Sequence, residues 1–377
     1  MQKRWVEQEI TNKDVVAELQ QSLNVDDVLA TLLVNRGVTT FEEARTFFRP
    51  HLNHLHDPFL MKDMEKAILR IEQAIQRQEK VMIYGDYDVD GTTAVSVTYS
   101  FFKKLHPKID FYIPDRYKEG YGISTQGIDF AHANGFNLII ALDCGIKSVD
   151  KIAYANSLGI DFIICDHHLP GDTLPEAVAV LDPKRADCEY PYKELSGCGI
   201  GFKLIQAYAQ KNGIPFEEIC CYLDLVAVSI AADIVPITGE NRVLTHFGLH
   251  RLNSEPCKGL SALMDVSGKR DNYTITDVVF SIGPRINAAG RIDDAKHAVN
   301  LLIAQDHDLA HSNGILINNK NTERKEHDSS ITEQALAMIE RDSSMISRKT
   351  TVVYDESWHK GVIGIVASRL IEKYYRP

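Results

Sequence analysis

At 377 residues the chain is too long for one small module, and at roughly 150 residues per domain it holds two or three, each able to bury a core. Its 44% hydrophobic and 25% charged residues exclude a disordered, collagenous or low-complexity polymer. The net charge of −11 excludes no partner class: it counts any cation-binding acids without their cations, and a nucleic-acid partner needs only a local basic groove.

The opening residues MQKRWVEQEITNKD include basic residues but no apolar h-region, which argues against a signal peptide. Residues 39–48 carry a helix start, with Thr40 as N-cap and Glu43 three positions later. His51, His54 and His56 sit near Pro50 and Pro58 with no helix or strand spacing to organise a metal site, and read as solvated linker. Residues 1–60 are expected to form an N-terminal extension. Met64, Ala67, Ile68, Ile71, Ala74 and Ile75 then repeat with helical spacing. Short apolar runs at 81–84, 110–113, 138–142, 162–165 and 178–181 alternate with helix-length stretches at 92–105, 125–134 and 148–158. Near-continuous apolar strands of this kind predict an α/β fold, a parallel sheet flanked by helices, for a catalytic domain over 61–300. The longest apolar run, Leu225–Ala232, is broken by Ser229, is far short of the ~20 residues a membrane helix needs, and reads as a further strand-like segment. Residues 303–345 suit a long connecting helix, in a region spanning 301–349. TVVY at 351–354 opens a second α/β domain over 350–377, with one helix after it. One strand and one helix cannot bury a core, so the chain is expected to be a piece of a longer protein in which this domain is incomplete. The seven cysteines are odd in number and lack C-x-x-C spacing, which points to a reducing cytoplasm, not a disulfide frame or zinc site.

Polar residues follow these runs directly: GDYDVDG (85–91), PDRYKEGYG (114–122), DCG (143–145), DHH (166–168), DPK (182–184) and Asp233. In an open parallel sheet, loops at the carboxyl ends of the strands meet at one edge and bind ligands there. Asp86, Asp88 and Asp90 are hard oxygen donors suited to Mg²⁺, Mn²⁺ or Ca²⁺. Their D-x-D-x-D-G spacing opens like an EF-hand, but the twelfth position is Val97 and a strand precedes the loop. In an extended segment the adjacent histidines of Asp166-His167-His168 point to opposite sides, so one can ligate a metal while the other faces substrate. At least five carboxylates with one or two histidines exceed the needs of one ion and suit two divalent ions, Mn²⁺ before Mg²⁺, clamping an in-line phosphoryl displacement. No G-x-x-x-x-G-K-[ST] loop supports ATP hydrolysis. Arg116, Lys118 and Tyr121 in one loop, and Arg285, Asn287 and Arg291 in SIGPRINAAGRIDD, offer forks and amides for phosphate, with glycines permitting close backbone approach to a ligand. His359 in SWHKG is either a further substrate contact or an ordinary surface residue.

YGDYDVDGTTA, ALDCG, CDHH, VSIAADIVP, SIGPRINAAGRID and DESWHKGVIGIVASRL, in this order over roughly residues 60–377, resemble the motifs of the RecJ exonucleases of the DHH phosphoesterase superfamily. The resemblance implies a 5′→3′ exonuclease specific for single-stranded DNA, releasing 5′-mononucleotides by two-metal-ion hydrolysis in DNA repair and recombination, with other repair proteins as partners and no membrane. By the same resemblance Asp88, Asp90, Asp143, His167 and Asp233 are metal ligands, Asp143 bridging, and Asp86 completes the first site. His168 faces the scissile phosphate, Arg116 contacts the 5′-terminal side of the strand, and Arg285, Asn287 and Arg291 hold nucleotides near the metals. Tyr84 stands where the superfamily's pyrophosphatases have a histidine. The family's glycine-glycine-histidine motif, a further phosphate-binding loop and an oligonucleotide-binding barrel do not occur before Pro377, which implies weakened processivity and weak or no activity. The alternatives are a DHH phosphodiesterase acting on short oligonucleotides or cyclic dinucleotides, and a non-catalytic DNA-binding relative.

Overall fold

Five strands form one all-parallel sheet in the order β2-β1-β3-β4-β5: β1 Lys80–Gly85, β2 Ile109–Tyr112, β3 Phe136–Leu142, β4 Asp161–Cys165 and β5 Ala179–Leu181. This computed structural model describes residues 4–6, 12–269, 271–346 and 348–377. Residues 1–3 and 7–11, part of the opening segment, lie outside that description. The five strands stand where the apolar runs predict them. Because successive side chains alternate across a strand, each run serves both faces. Val81, Ile83, Leu138, Ile140, Leu142 and Ile163 bury on one face, under helices Val89–Leu105, Gly197–Lys211 and Leu223–Ala232. Met82, Tyr84, Ile139, Ala141, Phe162 and Ile164 bury on the other, with Ile128 and Ile152 of helices Thr125–Ala133 and Val149–Ser157. At about 1.5–3 kcal/mol for each large apolar side chain, these two layers supply most of the driving force that holds the sheet edge in place.

Two segments differ from expectation. The run ending at Asp233 is helix Leu223–Ala232, not a strand. It is buried on nearly every side, so it is apolar all round, and periodicity cannot separate such a helix from a buried strand. TVVY at 351–354 is irregular; no neighbouring strand pairs with it among the described residues. The connecting segment is one helix, His307–Arg341, and Val362, Val366 and Leu370 bury against its Ile331, Ala335 and Ile339. Thr40 and Glu43 form the expected capping box. Among the described residues no helix is long and apolar enough to cross a membrane.

The histidine segment is more than linker. The main chain of His56 donates to Glu240 Oε1 (2.9 Å) and accepts from Lys203 Nζ (2.8 Å). Lys203 and Glu240 form a fully buried pair at 2.7 Å, with Tyr190 donating to Glu240 Oε2 at 2.7 Å. Burial disfavours the ammonium and lowers the Lys203 pKa, while Glu240 works in the other direction. Glu240→Ala leaves that cation without its counter-charge and is expected to cost about 3–5 kcal/mol. Urea unfolding followed by circular dichroism checks this; a loss under ~1 kcal/mol would mean the pair is not the anchor described.

Candidate metal centre

Strand order reverses at β1: β2 lies on one side of it and β3 on the other. The turns after β1 and β3 therefore open onto the crevice where open parallel sheets bind ligands. Asp86, Asp88 and Asp90 occupy the turn into helix Val89–Leu105, Asp143 the turn after β3, and Asp166, His167 and His168 the turn after β4. Asp233 arrives from another direction, at the end of helix Leu223–Ala232. Ligand atoms converge within 4.8 Å in three groups: Asp86, Asp88 and Asp143; Asp90, His167 and Asp233; and Asp143, His167 and His168. All six residues expected to hold metal are thus brought together, and Asp143 and His167 each belong to two groups.

The backbone is forced into this arrangement. Asp143 has φ 59° and Ile234, next to Asp233, has φ 61°. Left-handed backbone is unfavourable for an L residue, most of all a β-branched one, and costs about 1–3 kcal/mol. A Cβ on Gly197 would come within 2.6 Å of the Asp143 Cβ, so glycine lets the helix Gly197–Lys211 start against the site. That start cradles Asp90, which accepts from Gly197 N (2.6 Å), Cys198 N (2.7 Å) and Ser229 Oγ (2.6 Å). Backbone N–H groups at a helix start favour a carboxylate there.

Asp88 Oδ1 likewise accepts from Gly91 N (3.0 Å), whereas several other ligand atoms lack such partners. Both oxygens of Asp86, Oδ1 of Asp143 and both ring nitrogens of His167 are buried without a hydrogen bond. His167 Nε2 lies 3.1 Å from Asp143, 3.6 Å from Asp233 and 3.7 Å from Asp90. Buried polar atoms are rarely left unpaired unless something else binds them. Burial, reinforced by Asp88, pushes Asp86 up to about 7, and burial with Asp90 and Asp88 does the same for Asp233. Burial and its acidic neighbours also raise Asp143, and burial lowers His167. Hard oxygens with one imidazole, converging and unneutralised, fit divalent cations such as Mn²⁺ or Mg²⁺.

His168 adjoins Asp143 and His167 but has hydrogen-bond partners of its own. Its Nδ1 lies 2.7 Å from Asp166 Oδ1 and its Nε2 3.2 Å from the Tyr121 hydroxyl. The Asp166 hydrogen bond raises its pKa despite partial burial. Asp166 also accepts from Ile146 N and His167 N. Tyr84 donates to Gly122 O (2.9 Å) and accepts from Ser124 N (3.1 Å), so it ties down the 114–122 loop.

The proposed strand contacts divide. Arg116 lies over the Tyr87 ring at 4.9 Å, and Arg291 donates to Gly361 O at 3.1 Å. Tyr117 donates to Arg291 O, and His359 sits at the same rim, its ring 6.0 Å from Tyr117. Arg285 is drawn away to Ser281 O (2.7 Å), Ser281 Oγ (3.1 Å) and Asn318 Oδ1 (3.0 Å). Asn287, half-buried on the same helix, makes no side-chain hydrogen bond among the described residues. SIGPRINAAGR runs from a π-helical turn, Val278–Ile282, into helix Gly283–Ile292. A Cβ on Gly290 would meet Tyr87 O at 2.7 Å, so that glycine admits the Asp86–Asp90 turn and not a ligand. The Asp166 clamp and the Asp90 cradle were not singled out from sequence; the break that Ser229 makes in an otherwise apolar run is the signal for the second.

Residues 80–230 match the DHH family, N-terminal domain. The chain is 42% identical to "Single-stranded-DNA-specific exonuclease RecJ" of Bacillus subtilis over 99% of its own length and 47% of that protein. To the protein of the same name in Escherichia coli it is 34% identical, over 97% of its length and 64% of that protein. It therefore spans about half to two-thirds of the curated relatives it matches. Among solved structures it superposes on exonuclease RecJ bound to manganese with a TM-score of 0.77 and 30% identity, covering 86% of this chain and 80% of that one. With the same strand-edge motifs, the same fold and this extent of identity, the chain belongs to the RecJ family of DHH proteins.

Proposed function

We propose that this chain carries the catalytic centre of a 5′→3′ exonuclease specific for single-stranded DNA, releasing 5′-mononucleotides by two-metal phosphodiester hydrolysis in DNA repair and recombination. The observation that carries the proposal is the set of buried, unpaired ligand atoms at the switch point of the sheet, beside arginines that no carboxylate neutralises. The relatives' names support the substrate, and the motif resemblance supports the direction. Residues 61–300 would be the catalytic domain, 1–60 an extension, 301–349 the connecting region and 350–377 part of a DHH-associated domain. Unpaired cysteines accord with a cytoplasmic setting, and other repair proteins are the expected partners.

Asp86, Asp88 and Asp143 would hold one Mn²⁺ or Mg²⁺, and Asp90, His167 and Asp233 the other, with Asp143 within reach of both. Bound there, the ions would acidify a water nucleophile and neutralise charge developing on the phosphate and its leaving oxygen. Asp166 fixes the His168 ring and favours its charged form, so Nε2 can donate to a phosphoryl oxygen once Tyr121 gives way. Arg116 and Arg291 hold the strand beside the centre, and positioning together with fixed charge supplies most of the rate.

Asp143→Ala should reduce Mn²⁺-dependent release of nucleotide roughly 10³-fold, the size of effect seen when a preorganised electrostatic group is lost. Single strands labelled at the 5′ or the 3′ end give both rate and direction; wild-type turnover in the variant would refute the bridging role. Cleavage confined to dinucleotides would instead favour a short-oligonucleotide phosphodiesterase. Metal binding should also depend on pH. Asp86 and Asp233 stand at about 7 in the native chain against an ordinary 3.8. Between those values the metal-free native state binds more protons than the unfolded one, so its stability falls as pH rises through that window. Cations compete with those protons, so Mn²⁺ should raise the melting temperature more at about pH 8 than at about pH 6, with chelator abolishing the difference. An equal rise at both would place the ions elsewhere.

A further inference from the structure

The long helix His307–Arg341 buries one stripe: Ala310, Gly314, Ile317, Asn321, Asp328, Ile331, Ala335 and Ile339. Ala310 and Ile317 join the core of the catalytic region, whereas Ile331, Ala335 and Ile339 pack with Val362, Val366 and Leu370. Between these two cores the stripe turns polar, at Asn321 and Asp328, and skips one inward position. With steps of three and four residues, that position is Arg324. A half-buried arginine stands at a core register where the helix bridges two apolar clusters.

The side chain is aimed but not neutralised. Arg324 Nε donates to Asn321 Oδ1 at 3.2 Å, which fixes its stem. Among the described residues it has no ion pair. Of the acids on the same stretch of helix, Asp328 pairs with Arg369 through Oδ2 and favours the Arg324 charge without bonding it, and Glu323 lies 3.4 Å from Lys320. Arg116 and Arg291 are also without ion pairs. His327, one turn along the helix, stacks on the His359 ring at 5.2 Å, and Arg291 donates to Gly361 O beside it, so this stretch of the helix reaches the arginine rim; burial, then Arg116 and Arg324, lower the Arg291 pKa. Like charges brought together at partial burial cost free energy unless an anion joins them. The guanidinium fork suits phosphate oxygens in two-pronged contact.

We propose that Arg324 is a further strand-binding residue: with Arg116 and Arg291 it forms an anion site that takes a backbone phosphate of the single strand as it passes through the polar gap between the two cores. The proposal rests on the exonuclease reading for the identity of its ligand. It places part of the nucleic-acid grip on the connecting helix, and it makes the polar interruption of that helix's buried stripe the mark of the cleft.

Binding of a fluorescent oligo-dT to the chain, in chelator and over a range of salt, tests this. Each phosphate contact to a single strand contributes about 0.7 to the slope of log affinity against log salt, or about fivefold in affinity near 0.1 M. Arg324→Gln should show that loss, and Arg324→Lys should retain the slope. Lys325→Gln removes the same charge from the exposed neighbouring position and should leave the slope unchanged. Melting curves identify any variant that fails to fold; if Arg324→Gln does, the Arg324→Lys and Lys325→Gln pair decides, since a weakened slope in the lysine variant or an equal loss in Lys325→Gln overturns the site. A folded Arg324→Gln that keeps the wild-type slope while wild type degrades DNA in Mn²⁺ overturns the arginine site alone. A wild-type chain that binds the strand with the expected arginine dependence but hydrolyses none overturns the exonuclease reading and leaves the site standing. No binding by wild type overturns both.

Discussion

Five carboxylates and a neutral-leaning histidine are packed where the strand order of the sheet reverses, and among the described residues no lysine or arginine forms an ion pair with the five. At an effective dielectric of about 20, two charges 4 Å apart repel by roughly 4 kcal/mol. Such a cluster holds together only if the scaffold is stiff enough to impose it, or if protons or cations relieve it. The rest of the structure answers to that constraint. Two apolar layers clamp the sheet edge, a helix start cradles Asp90, and left-handed backbone at Asp143 and Ile234 directs the chain into the crevice.

The centre is asymmetric as a result. Its inner wall is rigid and hydrogen-bonded around Asp90, Ser229 and Gly197. On its outer wall His168, Tyr121, Tyr87 and Arg116 touch one another through a hydrogen bond, ring edges and a cation over a ring. Acids dominate the first side, and the second carries the arginine and the histidine. Arg116 and Arg291 come from the 114–122 loop and helix Gly283–Ile292, so this wall depends on elements far apart in sequence being packed together.

Much of this was legible in the sequence. Short apolar runs followed at once by acids are a local pattern, and the five strands and the Asp86, Asp143 and His167 turns came directly from it. Where local pattern has two structural solutions, reading failed. The run before Asp233 is equally apolar as a buried helix or a buried strand, and only packing against helices Val89–Leu105 and Gly239–Ser254 decides. TVVY has strand composition, yet strandedness needs a partner that lies outside the run itself. The glycines of SIGPRINAAGR read as room for a ligand, but Gly290 is there for the main chain of Tyr87.

The sequence by itself determined the fold class, the family and the identity of the six ligand-type residues, because each follows from residue type and spacing along a few consecutive positions. Only the tertiary structure decided how those residues group, that Arg285 is turned away to Ser281 and Asn318, that Asp166 aims His168, and that Arg324 stands half-buried between two cores. Those are statements about which atoms of distant segments meet. They depend on how two cores and a bridging helix pack, which no run of neighbouring residues encodes.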